Sequence, residues 1–383
     1  MRWKATLLML VTGCVVGCGS STTVREPPAE ASNDWQPGQI EDARDAPQEK
    51  IDAWKSRFGR ERPIVALLGH NASTELADYI TPHGVLARAD VAEVVSVSTG
   101  ASLITTQPLK IEAQLNTKQF DDRYAEGADY VIVPAIFQGN DEPDLLEWIS
   151  DQAGKGATLV SICLGAHVVA NTGLMDGHRA TSHFSSEDKR AQIYPQVRWQ
   201  KNTRWVADGK IVSSAGISAA IPISIALVEA IAGHERAAAV AQELGVTSWS
   251  SKHDSDVFRA RPDEERPNMD ASTKITLGIP LTEGMDEIAL GLTADAYNLS
   301  NLVKVQAIAG TLDPVTTLSG LRIVPERTVS GPEQVDRVLP YVEVKPALHA
   351  LDVALQTISD DYGRAASCNA AFTMEHPSYE MCP

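Results

Sequence analysis

One short segment near the middle of the chain constrains the fold more than any other. Residues 157–162 form a strand-like run, and a helical pattern begins at Ala166. Cys163 stands at the corner between them, and Gly165 removes a side chain where backbone would cross backbone. A strand that runs directly into a helix through one nucleophilic residue indicates an open α/β sheet, whose ligands bind at the carboxyl ends of the strands.

Strand-like and helical patterns alternate around that corner. Residues 64–68, 94–97 and 130–133 are short and apolar, whereas 76–88 and 145–153 have helical spacing. This alternation predicts a parallel sheet covered by helices on both faces. The chain is 43% hydrophobic, which is enough for such a core and excludes a wholly disordered protein. Its formal charge of -17 argues against a nucleic-acid partner, because phosphates require a basic face.

The first residues predict export. Residues 1–4 are positively charged and 5–16 are mostly apolar, but a bilayer span needs roughly 20 apolar residues. Cys14 and Cys18 each follow a small residue, as in bacterial lipoprotein signals, and Cys18 is the better lipidation site because Cys14 leaves a very short apolar run. We therefore predict a signal peptide over 1–18 and a flexible tether over 19–62. The protein would be lipid-anchored in the bacterial cell envelope, facing the periplasm or the exterior; a plain signal peptide is the alternative.

Several motifs together resemble the ThiJ/PfpI superfamily. They are S-x-C-x-G-A at 161–166, G-L-M-D-G-H-R-A-T-S-H at 173–183, D-G-x-x-x-x-S-A-G at 208–216 and D-x-x-x-P at 78–82. The resemblance covers about 63–246 and is nearest to the amidase-like branch that includes isonitrile hydratases. It implies a flavodoxin-like parallel sheet sandwiched by helices, of the class I glutamine amidotransferase type, in a domain over 63–250.

The resemblance also implies roles for individual residues. Cys163 takes the nucleophile position, Asp78 that of an acid that hydrogen-bonds the thiol or moves protons, and His183 that of a partner to the thiol. The helix that follows the cysteine is expected to lower the pKa of the thiol. Backbone N–H groups that would form an oxyanion hole belong to Ala135, Ile136 and Leu164.

Three positions depart from the family pattern. Ala135-Ile136 stands where Gly-Gly is usual, so we expect the bulkier Ile136 to narrow the pocket. Leu164 replaces a common threonine, and Pro222 replaces a common aspartate. These departures leave altered chemistry, or none, as open alternatives. His167, four residues after the cysteine, is the second candidate for a partner of the thiol.

The last part of the chain resembles a shortened copy of the same domain. Residues 274–280 and 303–309 are strand-like, 317–325 resembles a family hairpin, and 351–366 resembles the last helices. We predict a linker over 251–272 and a truncated, degenerate repeat over 273–383 without a nucleophile. The repeat would pack on the first domain as a pseudo-dimer or roof its site; an unrelated cap and a homodimer remain alternatives. The sequence allows Cys368 and Cys382 either to form a disulfide or to stay unpaired.

Two classes of function remain. The chain has no H-E-x-x-H, C-x-x-C, P-loop or G-x-G-x-x-G motif, so we predict neither a metal nor a cofactor. The first hypothesis is a cysteine-dependent hydrolase or hydratase acting on a small amide, isonitrile or carbonyl substrate. The alternative is a non-catalytic binding or stress-response lipoprotein that uses the same fold as a scaffold.

Overall fold

The computed structural model describes residues 35–258, 275–331, 335–340 and 344–382. The predicted signal peptide and both candidate lipidation sites, Cys14 and Cys18, lie outside the described residues, as does most of the predicted linker. Within the described ranges, no helix is both long and apolar enough to cross a membrane. We call residues 36–258 the N-terminal part and residues 275–382 the C-terminal part; together they form one compact unit.

The described residues form nineteen strands and ten α-helices. The strands are β1 (Ile40–Asp42), β2 (Ile64–Gly69), β3 (Thr74–Glu75), β4 (Glu93–Ser98), β5 (Leu103–Gln107), β6 (Lys110–Glu112), β7 (Leu115–Asn116), β8 (Tyr130–Val133), β9 (Thr158–Ser161), β10 (Arg179–Ala180), β11 (Arg198–Lys201), β12 (Trp205–Asp208), β13 (Ile211–Ser214), β14 (Ile275–Pro280), β15 (Val303–Ala309), β16 (Val315–Thr316), β17 (Arg322–Ile323), β18 (Arg327–Thr328) and β19 (Arg337–Val338). The helices are α1 (Leu76–Ala89), α2 (Thr117–Arg123), α3 (Pro143–Gly154), α4 (Gly165–Asn171), α5 (Glu187–Ile193), α6 (Ala220–Ala232), α7 (His234–Leu244), α8 (Glu287–Leu299), α9 (His349–Tyr362) and α10 (Arg364–Thr373).

A seven-stranded sheet forms the centre of the N-terminal part. Its strand order is β12-β13-β9-β8-β2-β4-β7, and all neighbours are parallel except β12 and β13. One hydrophobic core lies between this sheet, α1, α6 and the C-terminal part, and a second lies on the opposite face under α2, α3 and α4. The predicted α/β fold, a parallel sheet sandwiched by helices, is confirmed.

The segment before the central sheet differs from the predicted tether. From residue 36 onward it packs on the N-terminal part, and β1 pairs with β11. The buried carboxylate of Asp129 binds Arg57 at 3.1 Å and Arg60 at 2.8 Å, and Glu49 binds Arg179 at 2.6 Å. The segment from residue 36 onward is therefore folded despite its low hydrophobicity, because its charged side chains pair with charged side chains of the domain.

The C-terminal part repeats the element order of the N-terminal part in shortened form. Its parallel sheet has the order β18-β15-β14-β19. The succession β14, α8, β15 and the β16–β17 hairpin follows that of β2, α1, β4 and the β5–β6 hairpin. The pair α9–α10 turns at Gly363 (φ 89°), as α6–α7 turns at Gly233 (φ 86°).

The two parts meet through helices and through a shared sheet. Helices α1 and α8 approach closely at two glycines: a Cβ on Gly291 would lie 2.3 Å from Ile80 Cγ2, and one on Gly84 would lie 2.6 Å from Ile288 Cγ1. Strand β17 pairs with β6, which joins the two hairpins in one five-stranded sheet. In this sheet and at the helix crossing, the two parts form a continuous interior.

Two further sets of contacts hold the last helices of the C-terminal part and the last residues of the N-terminal part. Cys368 and Cys382 form a disulfide, with their Cα atoms 5.8 Å apart. Residues 251–258, the described start of the predicted linker, are held on the N-terminal part, where the side chain of Asn202 accepts hydrogen bonds from Ser255 and donates one to Asp256.

Candidate active site

The strand-to-helix corner at Cys163 has the geometry of a nucleophile elbow. Strand β9 ends at Ser161, α4 begins at Gly165, and Cys163 has a φ of 57°, which residues other than glycine rarely adopt. A Cβ on Gly165 would lie 2.1 Å from the carbonyl oxygen of Val133, so only glycine fits there. The Ser182 hydroxyl donates to the Cys163 carbonyl at 2.9 Å, which helps to fix the turn. The geometry therefore fixes the position of the thiol.

The structure places Asp78 beside this thiol. Asp78 is fully buried on the first turn of α1, and its Oδ2 accepts a hydrogen bond of 3.1 Å from the backbone N–H of Ala135. Burial, and then the charge of Glu75, raise the pKa of Asp78 well above its usual range, whereas the Ala135 N–H and the Cys163 thiol favour the ionised carboxyl. The Asp78 carboxyl can therefore hold a proton, or release one, next to the sulfur of Cys163.

The thiol itself is not poised as a thiolate. Burial, followed by the charges of Asp78, Glu75 and Glu375, raises the pKa of Cys163 well above its ordinary value. The N–H of Leu164 opposes this rise and is outweighed. The expectation that the following helix lowers the thiol pKa is therefore wrong, because burial and then the nearby carboxyl charges outweigh the Leu164 N–H at the start of α4.

The histidine that the sequence pairs with the thiol is engaged elsewhere. His183 Nδ1 accepts a hydrogen bond of 3.2 Å from the N–H of Ser185, and Nε2 donates to the carbonyl of Thr373 at 2.9 Å. Glu375 Oε1 lies 3.8 Å from Nε2. His183 therefore reaches the cavity wall but ties α10 to the N-terminal part, and neither nitrogen is left to take the thiol proton.

His167, the second candidate, packs with aromatic side chains. Its ring lies 5.5 Å from the ring of Tyr194 and 6.4 Å from that of Trp199. Burial lowers its pKa to about 4, so it is neutral at physiological pH. It does not line the cavity at Cys163.

Two of the three predicted oxyanion donors are already used. The Ala135 N–H donates to Asp78, and the Leu164 N–H is directed at the Cys163 sulfur. The side chain of Ile136 packs in the core on the opposite face of the sheet, so the expectation that it narrows the pocket is wrong. The N–H groups of Ala135 and Leu164 therefore do not form a free pair of donors of the kind that stabilises an oxyanion.

A cavity of about 200 Å³ opens over Cys163, and both parts of the chain form it. The C-terminal part contributes four residues that sequence reasoning did not assign to the site, Asp295, Asn298, Leu299 and Thr373. Glu375, just behind this wall, is fully buried and bound by His253 at 2.9 Å. The only sequence signal for these residues was the prediction that the second copy packs over the first site.

These features define a class of α/β protein. Its members carry a cysteine at a nucleophile elbow, with a buried carboxyl from the first helix beside the thiol. The DJ-1/PfpI family model matches residues 64–230, less than half of the chain, so this stretch is a DJ-1/PfpI domain. The domain so defined includes the elbow, Asp78 and His183.

Three similar proteins illustrate the range of the family. The HTH-type transcriptional regulator CdhR of Pseudomonas aeruginosa is 32% identical over 102 residues, which is 27% of this chain and 30% of that protein. Isonitrile hydratase of Pseudomonas putida is 29% identical over 105 residues, 27% of this chain and 44% of that protein. The solved structure of Drosophila melanogaster DJ-1beta is 22% identical, covering 49% of this chain and 99% of its own, with a TM-score of 0.44. The matched stretch thus spans less than half the length of the regulator and of the isonitrile hydratase.

Proposed function

We propose that the chain is a cysteine-dependent enzyme whose Cys163 adds to a small electrophilic carbon while Asp78 carries the proton. The observation that carries this proposal is the position of the Cys163 thiol. The residue has a left-handed backbone conformation, a buried carboxyl lies beside the sulfur, and a cavity of about 200 Å³ opens above it. The Cys163 thiol and the Asp78 carboxyl both hold a proton readily. A proton can therefore pass between them as the sulfur forms a bond.

The same geometry favours addition to an isonitrile over hydrolysis of an amide or attack on a carbonyl. Attack on a C=O group develops an oxyanion, which needs donors, and the N–H groups of Ala135 and Leu164 are occupied. An isonitrile carbon develops no oxyanion and requires a proton instead, which Asp78 can deliver. The similarity to the isonitrile hydratase of Pseudomonas putida supports the same choice.

The proposed cycle balances. The sulfur of Cys163 bonds to the terminal carbon of R–N≡C, and the thiol proton passes through Asp78 to that carbon, giving a thioimidate. Water then adds to the thioimidate carbon. The C–S bond breaks, the sulfur regains a proton, and the formamide R–NH–CHO leaves. The sum is one isonitrile plus one water to one formamide.

Turnover of matched substrates tests this function. The purified chain is incubated with small alkyl isonitriles, and with amides and aldehydes of the same size, and products are quantified by chromatography. We expect formamide from the isonitriles, its loss in Cys163→Ser and Asp78→Asn, and unchanged rates in the exposed control Asp313→Asn. Turnover that persists in Cys163→Ser, or a chain inert toward every substrate, would overturn the proposal.

A specific observation favours the second candidate, a non-catalytic binding or stress-response protein. The raised pKa of Cys163 leaves little thiolate at neutral pH. If no substrate is turned over while small molecules still bind over Cys163, this second function replaces the first.

We also propose that the protein acts from the bacterial cell envelope, anchored by lipid on Cys18. The support is the charged start, the short apolar run and the small residue before Cys18. Metabolic labelling with a fatty-acid analogue should mark the wild-type chain and not Cys18→Ser. Label retained in Cys18→Ser but lost in Cys14→Ser would move the anchor to Cys14.

A further inference from the structure

Three carboxyl groups meet where the two parts of the chain close over the thiol. Glu75, Asp78 and Asp295 are 3%, 0% and 1% exposed. Glu75 accepts a hydrogen bond from the backbone N–H of Asp78, and its carboxyl also pairs with that of Asp295 from α8. Among the described residues, no group of three histidine, cysteine, aspartate or glutamate side chains is placed to hold a metal ion.

Each of the two carboxyl groups that line the cavity has one oxygen without a hydrogen-bond donor. Glu75 Oε1 and Asp295 Oδ2 are buried and accept no hydrogen bond within the described part of the chain. Both residues line the cavity over Cys163. Burial, and then the charge of Glu75, raise the pKa of Asp295 well above its usual range.

Among the described lining residues the only basic side chain is that of His183, whose ring nitrogens are bonded to Ser185 and Thr373. The described residues that line the cavity include no lysine or arginine. The remaining wall includes the amides of Gln107 and Asn298, the hydroxyl-bearing residues Ser185 and Thr373, and apolar side chains. A buried carboxylate without a cation is costly, so a ligand that brings a cation offsets that cost.

We propose that the cavity over Cys163 takes small amine-bearing compounds, whose ammonium group pairs with Glu75 and Asp295, and that it excludes anions. This inference rests on the proposed function, because it names the substrate class for the same site. The electrophilic carbon lies at Cys163, and the cationic end is held by a residue of the C-terminal part. The volume of about 200 Å³ limits the compound to a small molecule.

Charge-matched thiol reagents test the inference without turnover. The full-length chain is treated with 2-aminoethyl or 2-sulfonatoethyl methanethiosulfonate. In each case the sulfur of Cys163 displaces methanesulfinate, a mixed disulfide forms, and the thiol proton goes to solvent. Peptide mass spectrometry separates labelling at Cys163 from that at Cys14 and Cys18, and each rate is divided by the rate with a free small thiol.

We expect the cationic reagent to react at least about tenfold faster than the anionic one after this correction, because the two reagents differ by two charges near a buried carboxylate. Asp295→Asn should reduce the ratio about threefold or more. Asn298→Lys, at a half-buried position on the same wall, should reverse it. Asp313→Asn is the matched control, and 0.5 M salt removes the contribution of the net charge of the chain.

The outcomes separate the two proposals. Equal ratios in wild type and Asp295→Asn, a faster anionic reagent, or a Cys163 that neither reagent reaches would overturn the ligand class. Charge preference without any catalytic turnover would reject the proposed function and retain the ligand class. Turnover of isonitriles without a charge preference would retain the proposed function and reject the ligand class.

Discussion

The two parts of the chain begin alike and diverge at the position where chemistry is possible. Both place a helix directly after their first strand of the sheet, α1 after β2–β3 and α8 after β14, and these helices cross at Gly84 and Gly291. The N-terminal part continues to an elbow at Cys163. In the described residues of the C-terminal part no strand runs into a helix at a cysteine, and Cys368 lies within α10 in a disulfide.

This difference concerns the predicted degenerate copy and what such a copy contributes. The C-terminal part lacks a thiol site of its own in the described residues, yet Asp295, Thr373 and Glu375 reach the site of the N-terminal part. We propose that residues 273–383 act as a built-in partner, which completes a site that they no longer duplicate. The shared element order supports a repeat rather than an unrelated cap.

The strongest way to break this partnership is Glu375→Gln. Burial opposes ionisation, but the hydrogen bond from His253 and the charges of His183 and His253 outweigh it and lower the pKa of Glu375 from 4.5 to about 2. A folded-state pKa below the unfolded value stabilises the fold above pH 4.5, and this contribution is lost as the pH falls toward 2. We expect Glu375→Gln to lower the free energy of unfolding by about 3 kcal/mol at pH 7.

Urea unfolding at pH 7 and at pH 3 measures this effect. The difference in the free energy of unfolding between wild type and variant should be smaller at pH 3, because the wild type loses most of the contribution of ionised Glu375 there. Asp313→Asn, exposed on the same part of the chain, is the control. A gap of equal size at both values would show that Glu375 acts by packing rather than by charge.

The helix crossing offers a second test. Gly291→Ala places a methyl group 2.3 Å from Ile80 Cγ2, and Gly154→Ala makes the same change in α3 where nothing lies within 4 Å. We expect the first to destabilise by about 1–3 kcal/mol through overpacking. The second should stabilise by up to about 1 kcal/mol through helix propensity. Thermal unfolding of both variants measures the two effects. Shifts of the unfolding temperature in the same direction would contradict a tight crossing of α1 and α8.

The sequence predicted the local features of the site better than its surroundings. The strand, the cysteine and Gly165 are contiguous, so periodicity and one steric requirement were enough to place the elbow. Asp78 came from a motif on the first helix. Asp295 and Glu375 reach the site only through packing between the two parts, which no local pattern encodes. The bonds of His183 to Ser185 and Thr373 were hidden for the same reason.

Composition misled the prediction at 36–62. This segment is polar and charged, which is typical of a tether, but composition does not show where each charge finds its partner. Arg57 and Arg60 share the buried Asp129, and Ile51 is buried. A few specific ion pairs with a buried group therefore order a segment that a hydrophobicity rule assigns to solvent.

The smallest expected effect concerns the thiol and compares a carboxylate from each part. After burial, Asp78 of the N-terminal part raises the pKa of Cys163 more than Glu375 of the C-terminal part does. We expect the pH at which alkylation of Cys163 by iodoacetamide reaches half its maximal rate to lie above 9 in the wild type. Asp78→Asn should move this midpoint down further than Glu375→Gln, because Asp78 contributes more to the raised pKa of the thiol than Glu375 does. Asp313→Asn should leave it unchanged. A larger shift from Glu375→Gln would mean that the C-terminal part, rather than the helix that carries Asp78, sets the protonation state of the thiol.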